Sequence, residues 1–195
     1  MLTSFLAQYA DSLPALSPEQ VVALEAHLAL LERWNRTINL TSVIRKNEAT
    51  AKHLGESLFL AAHLPPGPLR ICDIGSGGGF PGVPVAIARP DCTVMLVESD
   101  VRKGVFLRET SRKLPGVSVK TARFEAVTGD FDWLISRAVN LAKTSGGPKA
   151  NNMAFLGAAV IDKGPKRSLA SAYRWRSLPV PWDPSSFLHL GECFT

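Results

Sequence analysis

Apolar residues follow two rhythms along this chain. In the first third, Val21, Leu24, Leu28, Leu31 and Trp34 recur at spacings of three and four, which places them on one stripe of a helix. Ser17-Pro18-Glu19-Gln20 immediately before them reads as a capping box with proline at the first helical position, so a helix is predicted from there to about Asn35. Asn39-Leu40-Thr41 breaks the period. A second helix is predicted from near Asn47, carrying Leu54, Leu58 and Ala61 inward until Pro65-Pro66-Gly67 stops it.

The second rhythm begins after Pro68. Short runs at Leu69–Ile74, Thr93–Val97, Val117–Thr121 and Phe131–Ser136 have the length of strands, the first, second and fourth of them apolar. Between the first two, Pro81, Val83, Val85, Ala86, Ile87 and Ala88 read as the opening of a helix, and Val101 to Leu114 as another. Ala122-Arg123-Phe124-Glu125 starts a connection after the third run. This alternation predicts an α/β fold built on a doubly wound, mostly parallel sheet, whose ligands bind outside the carboxyl ends of the strands. Gly75, Glu98, Phe124-Glu125 and Arg137 all fall at such ends. The last third is less regular: Lys143 to Asn152 reads as a mobile loop and Phe155 to Ile161 as a helix end followed by a strand. Leu178 to Pro181 and Ser186 to Leu190 read as a terminal hairpin. Two units follow, a helical extension over 1–65 and a Rossmann-like domain over 66–195.

The chemistry is concentrated in Asp73-Ile74-Gly75-Ser76-Gly77-Gly78-Gly79-Phe80-Pro81-Gly82. Two glycine registers overlap there. Gly77, Gly79 and Gly82 match the G-x-G-x-x-G of dinucleotide binders, whereas Gly75, Gly77 and Gly79 give G-x-G-x-G preceded by Asp73. A carboxylate at Asp73 repels a pyrophosphate but favours the ammonium and sulfonium end of S-adenosylmethionine, so the second register is preferred. Glu98, at the end of the next run, is an acceptor for two ribose hydroxyls and suits an adenosyl group or NAD equally.

Composition narrows the class. A chain of 195 residues that is 46% hydrophobic can bury one good core. Its apolar runs are too short for a bilayer span, and its N-terminus lacks the pattern of a signal peptide. Cys72, Cys92 and Cys193 are odd in number and widely spaced, so neither a disulfide framework nor a zinc site is expected, and a cytoplasmic protein fits. The net charge of +5 is uneven: residues 1–65 carry five basic and six acidic side chains, the remainder seventeen and eleven. Arg102, Lys103, Arg108, Arg112, Lys113, Lys120 and Arg123 face Glu109 alone between Val101 and Phe124, and a second run includes Lys163, Lys166, Arg167, Arg174 and Arg176. Such asymmetry points to a polyanionic partner, with a solvated helix face as the bland alternative.

Asn39-Leu40-Thr41, His53 with Glu56-Ser57, Asp73 to Gly82, Val97-Glu98, Arg102-Lys103 with Phe106-Leu107, and Ser136-Arg137-Ala138 occur here in the order found in the bacterial GidB/RsmG proteins. The chain resembles that family from roughly Leu24 to Ala138. The family comprises 16S ribosomal RNA guanine-N7 methyltransferases of class I fold. The resemblance implies S-adenosylmethionine bound at Asp73, Gly75, Gly77, Gly79 and Phe80, at Glu98, and at Phe124-Glu125. Arg137 would serve both cofactor and target, and is the expected catalytic residue. His53, Arg102 and Lys103 would meet 16S RNA or the small ribosomal subunit, with no metal or membrane involved and the chain acting as a monomer. The family usually has aspartate where Glu56 stands.

The residues agree with that chemistry. Guanine N7 carries an exposed lone pair and no proton, so attack on a sulfonium methyl needs alignment rather than a general base. The N/D-P-P-Y element of amino methyltransferases is missing after Phe131 to Ile135, and no Pro-Cys pair supplies a nucleophile for pyrimidine C5. A nicotinamide-dependent oxidoreductase and a catalytically inactive RNA-binding or assembly protein are the competing readings.

Overall fold

In the computed structural model, which describes residues 1–42, 46–137, 147–157 and 172–193, the apolar run before the glycines is strand β1 (Arg70–Ile74). β2 (Thr93–Glu98), β3 (Val117–Thr121) and β4 (Asp130–Arg137) are the other three runs, and all four pair in parallel. β5 (Lys149–Gly157) extends the sheet in parallel beside β4. β7 (Asp183–Cys193) then runs antiparallel between β5 and the edge strand β6 (Tyr173–Val180). The order is β3-β2-β1-β4-β5-β7-β6. Chain order therefore reverses between β1 and β4, and a crevice opens at their carboxyl ends.

The helices follow the predicted pattern with additions. α1 (Leu2–Gln8) was not among the predicted helices, although Leu2, Phe5, Leu6 and Tyr9 stand at helical spacing and pack on the core. α2 (Pro18–Asn35) has its full capping box, with Ser17 and Gln20 each accepting from the other's backbone N–H. The Gln20 amide also donates to Ile87 O at 2.7 Å, anchoring the start of α2 on α5 (Gly82–Ala88). Its far end is held by Trp34 and Arg33, which both reach Glu109 on α6 (Val101–Ser111). The second predicted helix is three pieces: α3 (Lys46–Ala49), a π-helical segment (Thr50–Gly55) and α4 (Glu56–His63). A π segment shifts the hydrogen-bond register and leaves backbone carbonyls available to outside donors.

One apolar cluster joins α1, α2, α4, α5 and α6 to a single face of the sheet, through Leu24, Leu31, Leu54, Leu58, Val83, Phe106, Ile71, Leu96, Ile135 and Leu156. The opposite face presents Cys72, Ile74, Val97, Leu134, Met153 and Phe155, covered in part by Phe124 and Val127.

Three expectations change in the last third. Lys149 to Asn152 is not loop but the first half of β5, because its backbone pairs with β4 from Asp130 onward; residues 143–146 lie outside the described residues. Phe155 belongs to the same strand rather than to a helix end, and residues 158–161 are not among those described. The terminal hairpin is present but longer than predicted, over Tyr173–Val180 and Asp183–Cys193.

Candidate cofactor and target site

The glycine turn is tied down at both ends. Gly75 N and Ser76 N donate to Val97 O at 2.9 and 3.0 Å, which fixes the start of the turn on β2. Asp73 Oδ2 accepts from Gly82 N at 3.1 Å, which fixes its end. Between these points Gly75, Gly77 and Gly79 have φ of +69°, +53° and +87°, a conformation that favours glycine. At Gly77 the space beyond the backbone is open: a Cβ there would meet only Gly75 O, at 3.7 Å. Gly82 is the reverse case, because a Cβ would collide with the Asp73 and Leu96 side chains.

Glu98 closes one side of this opening. Its Oε2 accepts from Gly77 N at 3.0 Å and its Oε1 from Asp100 N at 2.8 Å. Ser99 Oγ also donates to Oε1 at 3.4 Å, so Oε2 is the oxygen that retains acceptor capacity for an incoming hydroxyl. Ala122 N donates to Glu98 O at 3.0 Å, so the segment after β3 lies beside it. That segment carries Phe124, buried, and Glu125, exposed, on a short 3-10 turn. Ser136 is paired with Ile74, so Arg137 flanks the turn from the other side. The structure thus brings Gly75, Gly77, Glu98, Phe124-Glu125 and Arg137 to adjacent strand ends.

Beneath the turn lies a layer the sequence did not reveal. The Phe80 ring is buried, with the His27 ring stacked on it at 4.7 Å and the His53 ring at 4.6 Å between centroids. The Arg137 guanidinium stands 5.0 Å from the same ring. His27 Nε2 lies 2.9 Å from Gly78 O. A carbonyl only accepts, so Nε2 carries the proton and the buried Nδ1 is left without a hydrogen-bond partner. Burial lowers the His27 pKa to about 4, which keeps the ring neutral. Its signal was a histidine among the leucines of the α2 stripe.

Arg137 Nη1 donates to Lys52 O, a carbonyl of the π segment, at 2.8 Å, and lies 3.7 Å from Glu56 Oε2. Glu56 Oε1 accepts from Ser186 Oγ of β7 at 2.7 Å. Burial raises the Glu56 pKa, opposed by the Ser186 hydrogen bond and the charges of Arg137 and Lys52. These contacts leave the Arg137 side chain 17% exposed.

His53, Asp73 and Phe80, three of the expected site residues, are buried within the fold. His53 does not face a polyanion: the π segment turns it inward, where it is 3% exposed, stacks on Phe80 and lies 2.9 Å from Thr41 Oγ1 through Nε2. Asp73 is wholly buried under the turn, where burial pushes its pKa up to about 7. Its Oδ2 holds the loop through Gly82 N, and its Oδ1 has no hydrogen-bond partner. Phe80 likewise supports the turn from below. Arg102 is exposed and Lys103 half-buried at the start of α6, whose first free N–H groups are capped by Asp100. Lys163, Lys166 and Arg167 lie outside the described residues. Among the described residues no group of three or more His, Cys, Asp or Glu is placed to hold a metal ion, and no helix is long and apolar enough to cross a membrane.

Residues 20–147 match the GidB family model, rRNA small subunit methyltransferase G. The ribosomal RNA small subunit methyltransferase G of Chromobacterium violaceum is 46% identical over 127 residues, covering 63% of this chain and 60% of that protein. The protein of the same name from Nitrosococcus oceani is 42% identical over 127 residues, covering 63% and 58%. The chain thus spans about three fifths of the length of these relatives. Among solved structures, a SAM-dependent methyltransferase from Aquifex aeolicus aligns over 75% of this chain and 93% of its own, with TM-score 0.55 and 14% identity. The CurJ carbon methyltransferase covers all of this chain and 70% of its own, with TM-score 0.54 and 12% identity. The fold is that of the class I methyltransferases.

Proposed function

This chain belongs to the GidB family, the rRNA small subunit methyltransferase G proteins, and from that premise we propose that it transfers a methyl group from S-adenosylmethionine to N7 of a guanosine in 16S ribosomal RNA. Ribosomal RNA as substrate makes the reaction cytoplasmic. Beside the family match, the observation that supports the cofactor part of the reading is the hydrogen bond from Gly77 N to Glu98 Oε2 at 3.0 Å. It sets an acidic side chain against a left-handed glycine with open space before it, a cradle for a nucleoside ribose. Gly75, Gly77 and Gly79 shape the bed of the cofactor, Glu98 takes its ribose, and the Phe124-Glu125 turn borders its base. Bound there, S-adenosylmethionine supplies an electrophilic methyl on a positively charged sulfur.

The residues have one chemical task, alignment. Guanine N7 has no proton to lose, so no side chain must act as a base. The neutral His27 and the buried Asp73 hold the turn rigid from beneath. Arg137 offers a planar, forked cation at the carboxyl end of β4, suited to the face or O6 edge of a guanine splayed from RNA. Arg102, Lys103 and the exposed Arg112, Lys113, Lys120 and Arg123 supply a phosphate-binding flank.

Calorimetry with S-adenosylmethionine, with NADH as the comparison, tests the cofactor. Mapping 7-methylguanosine by mass in 16S RNA from cells with and without this gene tests the product. Binding of NADH alone, or an unchanged RNA, refutes the proposal.

A further inference from the structure

The family match ends at residue 147, yet the last described segment reaches back into the site. Trp182, in the turn between β6 and β7, donates its indole N–H to Ala51 O at 3.2 Å. It also packs on Phe5, Tyr9 and Phe59. The π segment is therefore gripped at one carbonyl by the hairpin while its next carbonyl, Lys52 O, receives Arg137. Four residues further along β7, Ser186 is 6% exposed and donates to Glu56 Oε1. The other oxygen of that carboxylate faces Arg137. Glu56 and Ser186 are 130 positions apart in sequence and buried together, so their contact is made by the tertiary fold alone.

We propose that Ser186 and Glu56 are positioning residues for the methyl transfer: the Ser186 hydroxyl orients the Glu56 carboxylate, and that carboxylate holds the Arg137 guanidinium against the Phe80 ring at the edge of the crevice. The inference rests on the reading of Arg137 as a target-site residue. A carboxylate free to rotate offers a guanidinium several geometries. One fixed through its second oxygen leaves fewer. The C-terminal hairpin thereby becomes part of the reaction site rather than a closing edge of the sheet. The charges around Glu56 are Arg137 from β4, Lys52 from the π segment and Asp183 from β7. Ser186 is the neutral donor among them. Removing its hydroxyl takes away one of the influences that keep the carboxylate ionised, so the group takes a proton at higher pH and Arg137 is released there.

The test compares Ser186→Ala with Ser186→Thr, which restores a hydroxyl, in the full chain. Single-turnover transfer of labelled methyl to 16S RNA at saturating cofactor should fall about tenfold in Ser186→Ala, a modest misalignment. The acid limb of its pH profile should move upward, and Ser186→Thr should recover most of both. Affinity for S-adenosylmethionine should stay within about twofold, because neither residue borders the cofactor bed. A lowered melting temperature with unchanged rate and pH profile would overturn the inference and leave Ser186 as a donor that only satisfies a buried acid. A second readout needs no turnover: NMR of the Arg137 guanidinium should show hindered rotation in the wild type and faster rotation in Ser186→Ala. Equal rotation in the two would also overturn it. If the wild type transfers no methyl, the functional reading fails, and the guanidinium measurement still decides the positioning role.

Discussion

His27 Nε2 on α2 lies 2.9 Å from the carbonyl oxygen of Gly78, so a helix that precedes the sheet holds the turn at its centre. The contact sets a pH dependence. A histidine whose pKa falls from 6.5 to about 4 on folding stabilises the fold fully above pH 6.5. That contribution shrinks as pH drops, because the unfolded chain takes the proton first, and it is gone below pH 4. Asp73, raised from 3.8 to about 7, works in the opposite sense over nearly the same window, its contribution growing as pH falls from 7. Comparison with His27→Phe isolates the histidine. The stability advantage of the wild type over this variant should fall by up to about 3 kcal/mol between pH 7 and pH 4. Urea unfolding at several pH values checks it, and a constant difference would mean that His27 is not buried neutral.

At Gly77 two effects coincide. Its φ of +53° strains any side chain by about 1 kcal/mol or more, and a Cβ would stand in the opening beside Glu98. Gly77→Val should abolish measurable binding of S-adenosylmethionine in calorimetry while leaving far-UV dichroism nearly intact. Normal affinity would move the cofactor bed elsewhere.

The basic surface of α6 makes a separate prediction. Arg102 in its first turn and Lys113, two residues past its end, are both exposed. Neutralising both to glutamine should weaken RNA binding and flatten its salt dependence by about one to two logarithmic units of slope. Cofactor affinity should not change. A slope equal to wild type would return these side chains to the role of a solvated face.

What could be read from the chain, and what could not, separates along physical lines. β1, β2 and β4 were legible because each is a short, mainly apolar run, and β3 because Val117 and Val119 alternate with polar residues on an edge strand. The glycine turn was legible because several residues without a Cβ fall together between an apolar strand and a helix, where backbone can approach a ligand closely. β5 was not, since Lys149-Ala150-Asn151-Asn152 follows Gly147-Pro148 and carries no apolar alternation. Its strand state comes from pairing with β4, a tertiary influence that overrides local preference. α1 is a different case: Leu2, Phe5, Leu6 and Tyr9 carry the helical period over a helix of only seven residues and its C-cap, and Trp182, the partner of Phe5 and Tyr9, lies far away in sequence. The layer beneath the turn was hidden because its partners join His27, His53, Phe80, Arg137, Glu56 and Ser186 across most of the chain. Local pattern does report a buried histidine, but not what it touches.

Arg137 carries the last prediction. Three groups define its place: Lys52 O at 2.8 Å, Glu56 Oε2 at 3.7 Å and the Phe80 ring at 5.0 Å. Two roles fit them, an ion-pair partner that only stabilises the fold and a cation presented to the target base. Lysine separates the two, since it keeps the charge near Glu56 and can donate to a carbonyl. It loses the plane that lies on Phe80 and the forked donors that would meet a guanine. If the role is structural, Arg137→Lys loses some stability and little rate. If the role is presentation, S-adenosylmethionine should bind within about tenfold of wild type, a loss of up to ~1.4 kcal/mol. Methyl transfer should then fall by ~10² or more, because alignment is what the site supplies. The second outcome is expected, on the ground that the Arg137 side chain stays 17% exposed at the end of β4, beside the turn, whereas its partner Glu56 is buried. Single-turnover transfer to 16S RNA at saturating cofactor decides it, and near-normal turnover in the lysine variant would confine Arg137 to the ion pair.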